Sequence, residues 1–351
     1  MNDLRLGIIV LAAGEGARMR SSLPKALHSI CGRPLLGHVL AVADALEATI
    51  TAVVLAADTI DQVRDGFGAG PHQDRPYSYA VQAERLGTGH AVLQARPVLL
   101  NRSDDVLVLY GDTPLLRAET ARAVVEARRA HSALLSLLSF HAHPLVGYGR
   151  VLRDAAGQVL ELVEERNATP EQHAISEGNS GIMCFDAAWL WEALWRIHPN
   201  PVNGEYYLTD LVAMAVAERG PGAAVALPAA DAREAWGVND RVQLAQAGGV
   251  LRERILDTLM RAGVTIADPA ATYVDAGVTV GADTLLLPGT LLQGATRVGA
   301  GCVIGPHTTI SDSTIGDRAR VFHALVERAV VPSDAVIGPF MHMAGDETPR
   351  Y

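Results

Sequence analysis

Val274, Val280, Leu286, Leu292, Val298, Ile304 and Ile310 stand six residues apart without a gap, and this spacing constrains the fold more than any other feature of the chain. A small or polar residue follows several of them, as at Asp275, Gly281, Gly299 and Gly305. Such a period is the signature of a parallel β-helix, in which each face of a triangular coil contributes one repeat and stacked coils share an aliphatic core. Short strands in an ordinary sandwich are the alternative, and seven in-phase aliphatics count against it. The spacing falls to five at Ile315 and Val326 and resumes from Val331 to Ile337, so the coil is expected to be irregular near its end. Val274 to Ile337 is enough for about three to four coils.

The repeat occupies only the last part of 351 residues, a length that favours two domains. Hydrophobic residues at 49% and charged residues at 19% exclude wholesale disorder. The net charge of −10 repels a nucleic-acid backbone, so no nucleic-acid partner is expected and any phosphate must be held by local groups. Cys31, Cys184 and Cys302 form no CxxC spacing, which supports neither a disulfide framework nor a thiolate zinc site and fits a cytoplasmic protein. The opening MNDLRLGIIVLAAG lacks a signal-peptide layout and breaks at Gly14, far short of a spanning helix, so no membrane association is expected.

Leu6 to Leu11 is a continuous aliphatic run, as in a strand buried on both faces of a parallel sheet. Similar runs at Thr51 to Leu55, Asp105 to Tyr110 and Leu134 to Phe140 alternate with helical patterns at Leu35 to Leu46, Thr88 to Ala95 and Ala118 to Ala130. The alternation predicts an α/β domain with a doubly wound sheet. From Arg241 to Met260, aliphatics recur at helical spacing and Gly263 follows as a stop signal, marking a connector helix. The expected organisation is a first domain over residues 1–240, a linker helix over 241–263 and a β-helix over 264–351.

The strongest local motif is LAAGEGARMRSSLPKALHSICGRPLL, from Leu11 to Leu36. A strand empties into a loop with Gly14 and Gly16, which lets backbone N–H groups approach a phosphate chain, and Arg18 and Lys25 follow as flexible cations. It is neither the Walker pattern nor the dinucleotide fingerprint, because Met19 stands where a third glycine is needed. Asp112 follows the apolar strand at the carboxyl end, where open α/β sheets bind ligands.

This motif resembles the LxAGxGxRMxSxLPKxL signature of sugar-1-phosphate nucleotidyltransferases. Gln82 to Ala91 (QAERLGTGHA), Tyr110 to Leu115 (YGDTPL), Gly147 to Arg150 (GYGR), Gly204 to Asp210 (GEYYLTD) and Gly237 to Arg241 (GVNDR) narrow the match. Their order and approximate spacing are similar to those of the bacterial bifunctional N-acetylglucosamine-1-phosphate uridyltransferase/glucosamine-1-phosphate acetyltransferase family. The resemblance implies a Rossmann-like domain with a mixed, mostly parallel sheet, followed by a short left-handed β-helix. It implies nucleotide binding by Leu11, Ala12, Ala13, Gly14, Gln82, Gly87 and Thr88 and sugar binding by Gly149, Glu164 and Asn179. Arg18 and Lys25 become the catalytic cations, and Asp112 and Asn239 the ligands of a Mg²⁺ that completes its shell with phosphates and waters. The implied reaction joins UTP and N-acetylglucosamine-1-phosphate into UDP-N-acetylglucosamine and pyrophosphate. Two alternatives stay open: glucose-1-phosphate with UTP or dTTP on the same scaffold, or a non-catalytic regulatory or assembly subunit. A homotrimer held through the β-helix is also expected.

The chain departs from the family at Glu15, Ala17 and the segment Val163-Glu164-Glu165-Arg166-Asn167-Ala168. Met343-Ala344-Gly345-Asp346 replaces a basic RPG segment, and with the chain stopping at Tyr351 this leads to the expectation of no acetyl transfer.

Overall fold

The computed structural model describes residues 4–68, 70 and 76–345. The chain divides into two compact units, Met1–His28 with Leu35–Gln243, and Ser29–Pro34 with Leu244–Tyr351. Strands of the first unit are β1 (Leu6–Leu11), β4 (Ile50–Ala56), β5 (Tyr77–Gln82), β6 (Asp105–Tyr110), β7 (Leu135–His141), β8 (Arg150–Arg153), β9 (Val159–Val163), β10 (Glu177–Asp186) and β11 (Ala224–Pro228). The intervening β2 (Ser29–Ile30) and β3 (Arg33–Pro34) form a hairpin of the second unit.

The sheet runs in the order β11-β7-β10-β6-β1-β4-β5. β1 pairs in parallel with β4 and β6, as do β4 with β5 and β7 with β11. Between β6 and β7 lies β10, antiparallel to both, which makes the sheet mixed as expected. Side chains alternate across β1. Ile8 and Val10 pack with Leu36, Val39 and Val124 on one face, and Ile9 and Leu11 with Val92, Leu99 and Leu190 on the other. Helices therefore cover both faces, which is why β1 reads as an unbroken aliphatic run. Each fully buried aliphatic of this kind contributes about 1.5–3 kcal/mol.

The helices Leu35–Ala45, Thr88–Gln94 and Ala118–Ala130 lie where the sequence pattern puts them. Asp105, fully buried at the start of β6, accepts from Arg129 Nε at 2.6 Å and pairs with Arg128, so the last turn of helix Ala118–Ala130 is tied to the sheet.

The helix Arg241–Arg261, which belongs to the second unit from Leu244 on, stops two residues before Gly263, whose φ of +96° suits a helix stop. Beyond it three parallel sheets form the faces of a left-handed β-helix. One face stacks Thr265–Ile266, Leu285–Leu286, Val303–Ile304, Arg320–Val321 and Val336–Ile337. The predicted aliphatics point inward: Val274, Leu286, Leu292, Val298, Ile304 and Ile310 join Ile315, Val321, Val326 and Val331 in one core. Leu286 pairs with Ile304, Ile304 with Val321 and Val321 with Ile337, so successive coils take 18, 17 and 16 residues. That is the structural meaning of the slipped spacing.

Coiling begins at Thr265 rather than Val274 and continues to Ala344, giving four complete coils and two strands of a fifth among the described residues, more than the expected three to four. The polar residues after the aliphatics turn the corners. Asp312 Oδ1 accepts from Ala295 N–H and Asp317 Oδ1 from Ala300 N–H, both at 2.9 Å. A Cβ on Gly294 would fall 2.0 Å from that Asp312 oxygen, so the corner excludes any larger residue.

Candidate active site

The carboxyl ends of β1, β4, β5 and β6 lie at one edge of the sheet because Leu11 is in register with Val54 and Tyr110, and Ala56 with Gln82. The loops that follow border a cavity of about 460 Å³. Leu11, Ala12, Ala13, Gly14, Lys25, Gln82, Gly87, Thr88, Asp112, Gly149, Glu164 and Asn179 all line it. Twelve of the fourteen residues singled out from the sequence are thus brought together, from segments up to 168 residues apart.

The two others are placed differently. Asn239 is outside the lining yet accepts from Lys25 Nζ at 3.3 Å. Arg18 lies in the short 3₁₀ turn Ala17–Met19, exposed and outside the lining. Glu15, the anionic departure in the loop, is exposed and does border the cavity.

Lys25 forms an ion pair with Asp112 while reaching Asn239, so one ammonium joins two oxygen-bearing side chains. Backbone bonds fix this convergence. Val238 N–H donates to the Asp112 carbonyl at 2.8 Å, and Asn239 N–H to Gln243 Oε1 at 2.7 Å. Gln243 N–H in turn donates to Asp240 Oδ1 at 2.8 Å, which caps the helix Arg241–Arg261. Gly16, with φ of +68°, leaves no room for a Cβ beside the Lys25 stem, which would stand 2.8 Å away. Asp112 and Asn239 already surround a positive charge, and their oxygens suit a hard divalent cation. Among the described residues no group of three or more His, Cys, Asp or Glu is placed to hold a metal ion, so such a cation would need further oxygens from a bound phosphate.

Gln82, almost fully buried at the end of β5, donates its amide N–H to Gly87 O at 3.1 Å and meets His90 Nδ1 at 3.2 Å. With the NH₂ so engaged, Oε1 is the group it offers to a ligand. The following loop is locked to another segment: Gly89 N–H donates to Tyr206 O and Tyr206 N–H to Leu86 O, each at 2.8 Å. Thr88 Oγ1 accepts from Leu208 N–H at 3.0 Å.

At the other end of the cavity, Asn179 spends its Oδ1 on Gly181 N–H at 2.9 Å, which leaves its NH₂ to donate. Glu164 Oε1 accepts from Thr209 Oγ1 at 3.0 Å, and Asn179 N–H donates to Gly149 O at 2.8 Å, which joins two of the three residues expected at the sugar. Burial, with the nearby Glu164 charge, holds the Asp210 carboxyl above the usual carboxylate range. Burial and the Glu164 and Asp112 charges push the Tyr110 phenol up, so it stays protonated at neutral pH.

Arg85, Tyr148, Arg166, Glu205, Tyr207 and Thr209 also line the cavity without having been singled out one by one. Most fall inside the motif strings already noted, so the signal was the string rather than any one residue type. Arg166 shows why: its guanidinium lies 5.7 Å from the Tyr207 ring centre and 3.7 Å from Glu205, contacts that only the fold creates. No helix among the described residues is long and apolar enough to cross a membrane.

Residues 8–175 match the MobA-like NTP transferase domain family. The chain is 44% identical over 336 residues to the bifunctional protein GlmU of Trichlorobacter lovleyi, covering 95% of this chain and 72% of that protein. It is 40% identical over 337 residues to the bifunctional protein GlmU of Enterococcus faecalis, covering 95% and 71%. Against the bifunctional protein GlmU of Halalkalibacterium halodurans it is 42% identical over 337 residues, covering 95% and 72%.

Proposed function

The chain belongs to the family of bifunctional GlmU proteins, and from that membership we propose that it transfers UMP from UTP to N-acetylglucosamine-1-phosphate, releasing pyrophosphate. The observation that carries the reading is one cavity that gathers a glycine loop, the Lys25–Asp112 ion pair, and the Asn179 amide and Glu164 carboxylate.

An oxygen of the sugar phosphate attacks the α-phosphorus of UTP, a new P–O bond forms, and the bond to the pyrophosphate breaks. The nucleophile is already anionic, so no general base is needed and catalysis consists of alignment and charge stabilisation. Gln82 Oε1 accepts the uracil N3–H, with Gly87 and Thr88 fixing the loop around it. Leu11, Ala12, Ala13 and Gly14 form the wall along the nucleotide. Glu164 accepts from sugar hydroxyls, Asn179 donates to the N-acetyl carbonyl, and Gly149 permits close approach. Asp112 and Asn239 are the residues that would hold Mg²⁺, which supplies charge neutralisation between the two substrates' phosphates when bound. Lys25 and Arg18 offset charge on the α-phosphate and the leaving pyrophosphate.

The proposal includes a homotrimer formed through the β-helix and a cytoplasmic setting, supported by the free thiols of Cys31, Cys184 and Cys302. It also retains the expectation of no acetyl transfer, resting on Met343-Ala344-Gly345 in place of a basic segment; Asp346 lies outside the described residues. Incubating the protein with UTP, N-acetylglucosamine-1-phosphate and Mg²⁺ tests the main reading. UDP-N-acetylglucosamine should accumulate in step with pyrophosphate, and the absence of product with every sugar phosphate and nucleotide tried would turn the reading to a non-catalytic subunit.

A further inference from the structure

Arg85, to which the reaction above assigns no task, ties together the loops that follow three neighbouring strands. Standing after β5, it donates from Nε to the carbonyl of Ala13, after β1, at 2.9 Å. Its Nη2 reaches both carboxylate oxygens of Asp58, after β4, at 2.8 and 2.9 Å. The Arg85 hydrogen bond in turn holds the Asp58 carboxyl below the usual carboxylate range.

The Ala13–Gly14 peptide needs such an anchor. A trans peptide is planar and its carbonyl and N–H point in opposite directions, so fixing the Ala13 oxygen fixes the direction of the Gly14 N–H. Packing does not fix it, because a Cβ on Gly14 would meet nothing within 4 Å. Among the described residues the Gly14 N–H has no hydrogen-bond partner, and Gly14 borders the cavity. It is an open donor at the wall of the site, and one guanidinium sets its direction.

Resting on the nucleotidyl-transfer reading, we propose that Arg85 is a positioning residue that locks the Ala13–Gly14 peptide so that the Gly14 N–H is presented to the nucleotide. The planar fork of arginine serves two acceptors in different directions at once, and a lysine ammonium lacks that geometry.

The experiment compares wild type with Arg85→Gln, Arg85→Lys and Asp58→Asn, measuring steady-state constants for both substrates and UTP binding by calorimetry. Arg85→Gln should raise the nucleotide KM about tenfold and weaken UTP binding by the same factor, with kcat and the sugar-phosphate KM within about threefold. Arg85→Lys should recover only part of that loss, and Asp58→Asn should give about a threefold rise. Equal damage to both KM values and kcat together with a lowered melting temperature would make Arg85 merely structural and overturn the proposal. An active wild type with an Arg85→Gln nucleotide KM unchanged within twofold would overturn it while leaving nucleotidyl transfer standing. A wild type that neither binds nor consumes any nucleotide would remove the proposed function and this inference with it.

Discussion

Val238 donates its backbone N–H to the carbonyl of Asp112 at 2.8 Å, which draws the segment carrying Asn239 against the end of β6. The two side chains proposed as cation ligands, distant in sequence, therefore share the Lys25 ammonium. A backbone bond thus sets their proximity, and the Gln243 side chain holds the Asn239 N–H beside it. Asp112→Asn keeps the size and one oxygen but removes the charge. Turnover should fall about a hundred- to thousandfold. The melting temperature should change by no more than a few degrees, since the carboxylate sits at a strand end rather than in the core. Turnover within threefold of wild type would remove Asp112 from the cation site.

Gly87 has φ of +96°, and a Cβ there would fall 2.7 Å from Tyr206 O. Gly87→Ala must therefore displace the loop that carries the Gln82 partner carbonyl and Thr88. The nucleotide KM should rise at least about tenfold while the sugar-phosphate KM changes little. Parallel rises in both constants would mean that the loop does not serve the nucleotide specifically.

Glu177, two residues before Asn179 on β10, accepts from Arg153 Nη2 at 2.6 Å and from Arg153 Nε at 2.7 Å. Burial raises its pKa, but the Arg153 hydrogen bonds and charge, with Ser139 and His141 nearby, prevail and leave the carboxyl below its ordinary value. A depressed carboxylate stabilises the fold above its unfolded pKa of about 4.3 and loses that contribution as pH falls through the folded value. Glu177→Gln should thus be less stable than wild type at pH 7 by about 2 kcal/mol, with the gap closing below about pH 4. Urea denaturation at both pH values checks this, and an equal gap at both would contradict it.

The outer surface of the β-helix exposes Tyr273, Val330 and Val336, apolar residues whose outward orientation suits contact with another copy. Light scattering at micromolar concentration should return a trimer mass. A monomer mass would exclude the proposed assembly.

Much of this fold was legible because burial is written into residue type. β1 and β6 begin and end where their aliphatic runs do, and the helix Ala118–Ala130 matches its pattern. β10 was not legible: its Gly178, Asn179, Ser180 and Gly181 interrupt any aliphatic run, yet the strand pairs between β6 and β7. Asn179, Ser180 and Gly181 line the cavity, so polarity and small size serve the site at the expense of the strand pattern. In the β-helix the six-residue period was plain, but coils of 17 and 16 residues depend on non-glycine residues such as Asp312 and Arg328 taking positive φ at corners, which residue type alone does not announce. The Arg85–Ala13 contact was equally hidden, since it joins loops that only the strand order brings side by side.

The most direct test of the account is pyrophosphate release in the presence of Mg²⁺, with N-acetylglucosamine-1-phosphate and glucose-1-phosphate each paired with UTP and dTTP. On the proposed reading Asn179, whose Oδ1 is taken by Gly181 N–H, would donate its amide NH₂ to the acetyl carbonyl, a group that glucose-1-phosphate lacks. Losing one such contact costs about a factor of ten or more. The account predicts that kcat/KM is highest for UTP with N-acetylglucosamine-1-phosphate, by at least about tenfold over glucose-1-phosphate. A preference for glucose-1-phosphate, or for dTTP, would contradict it.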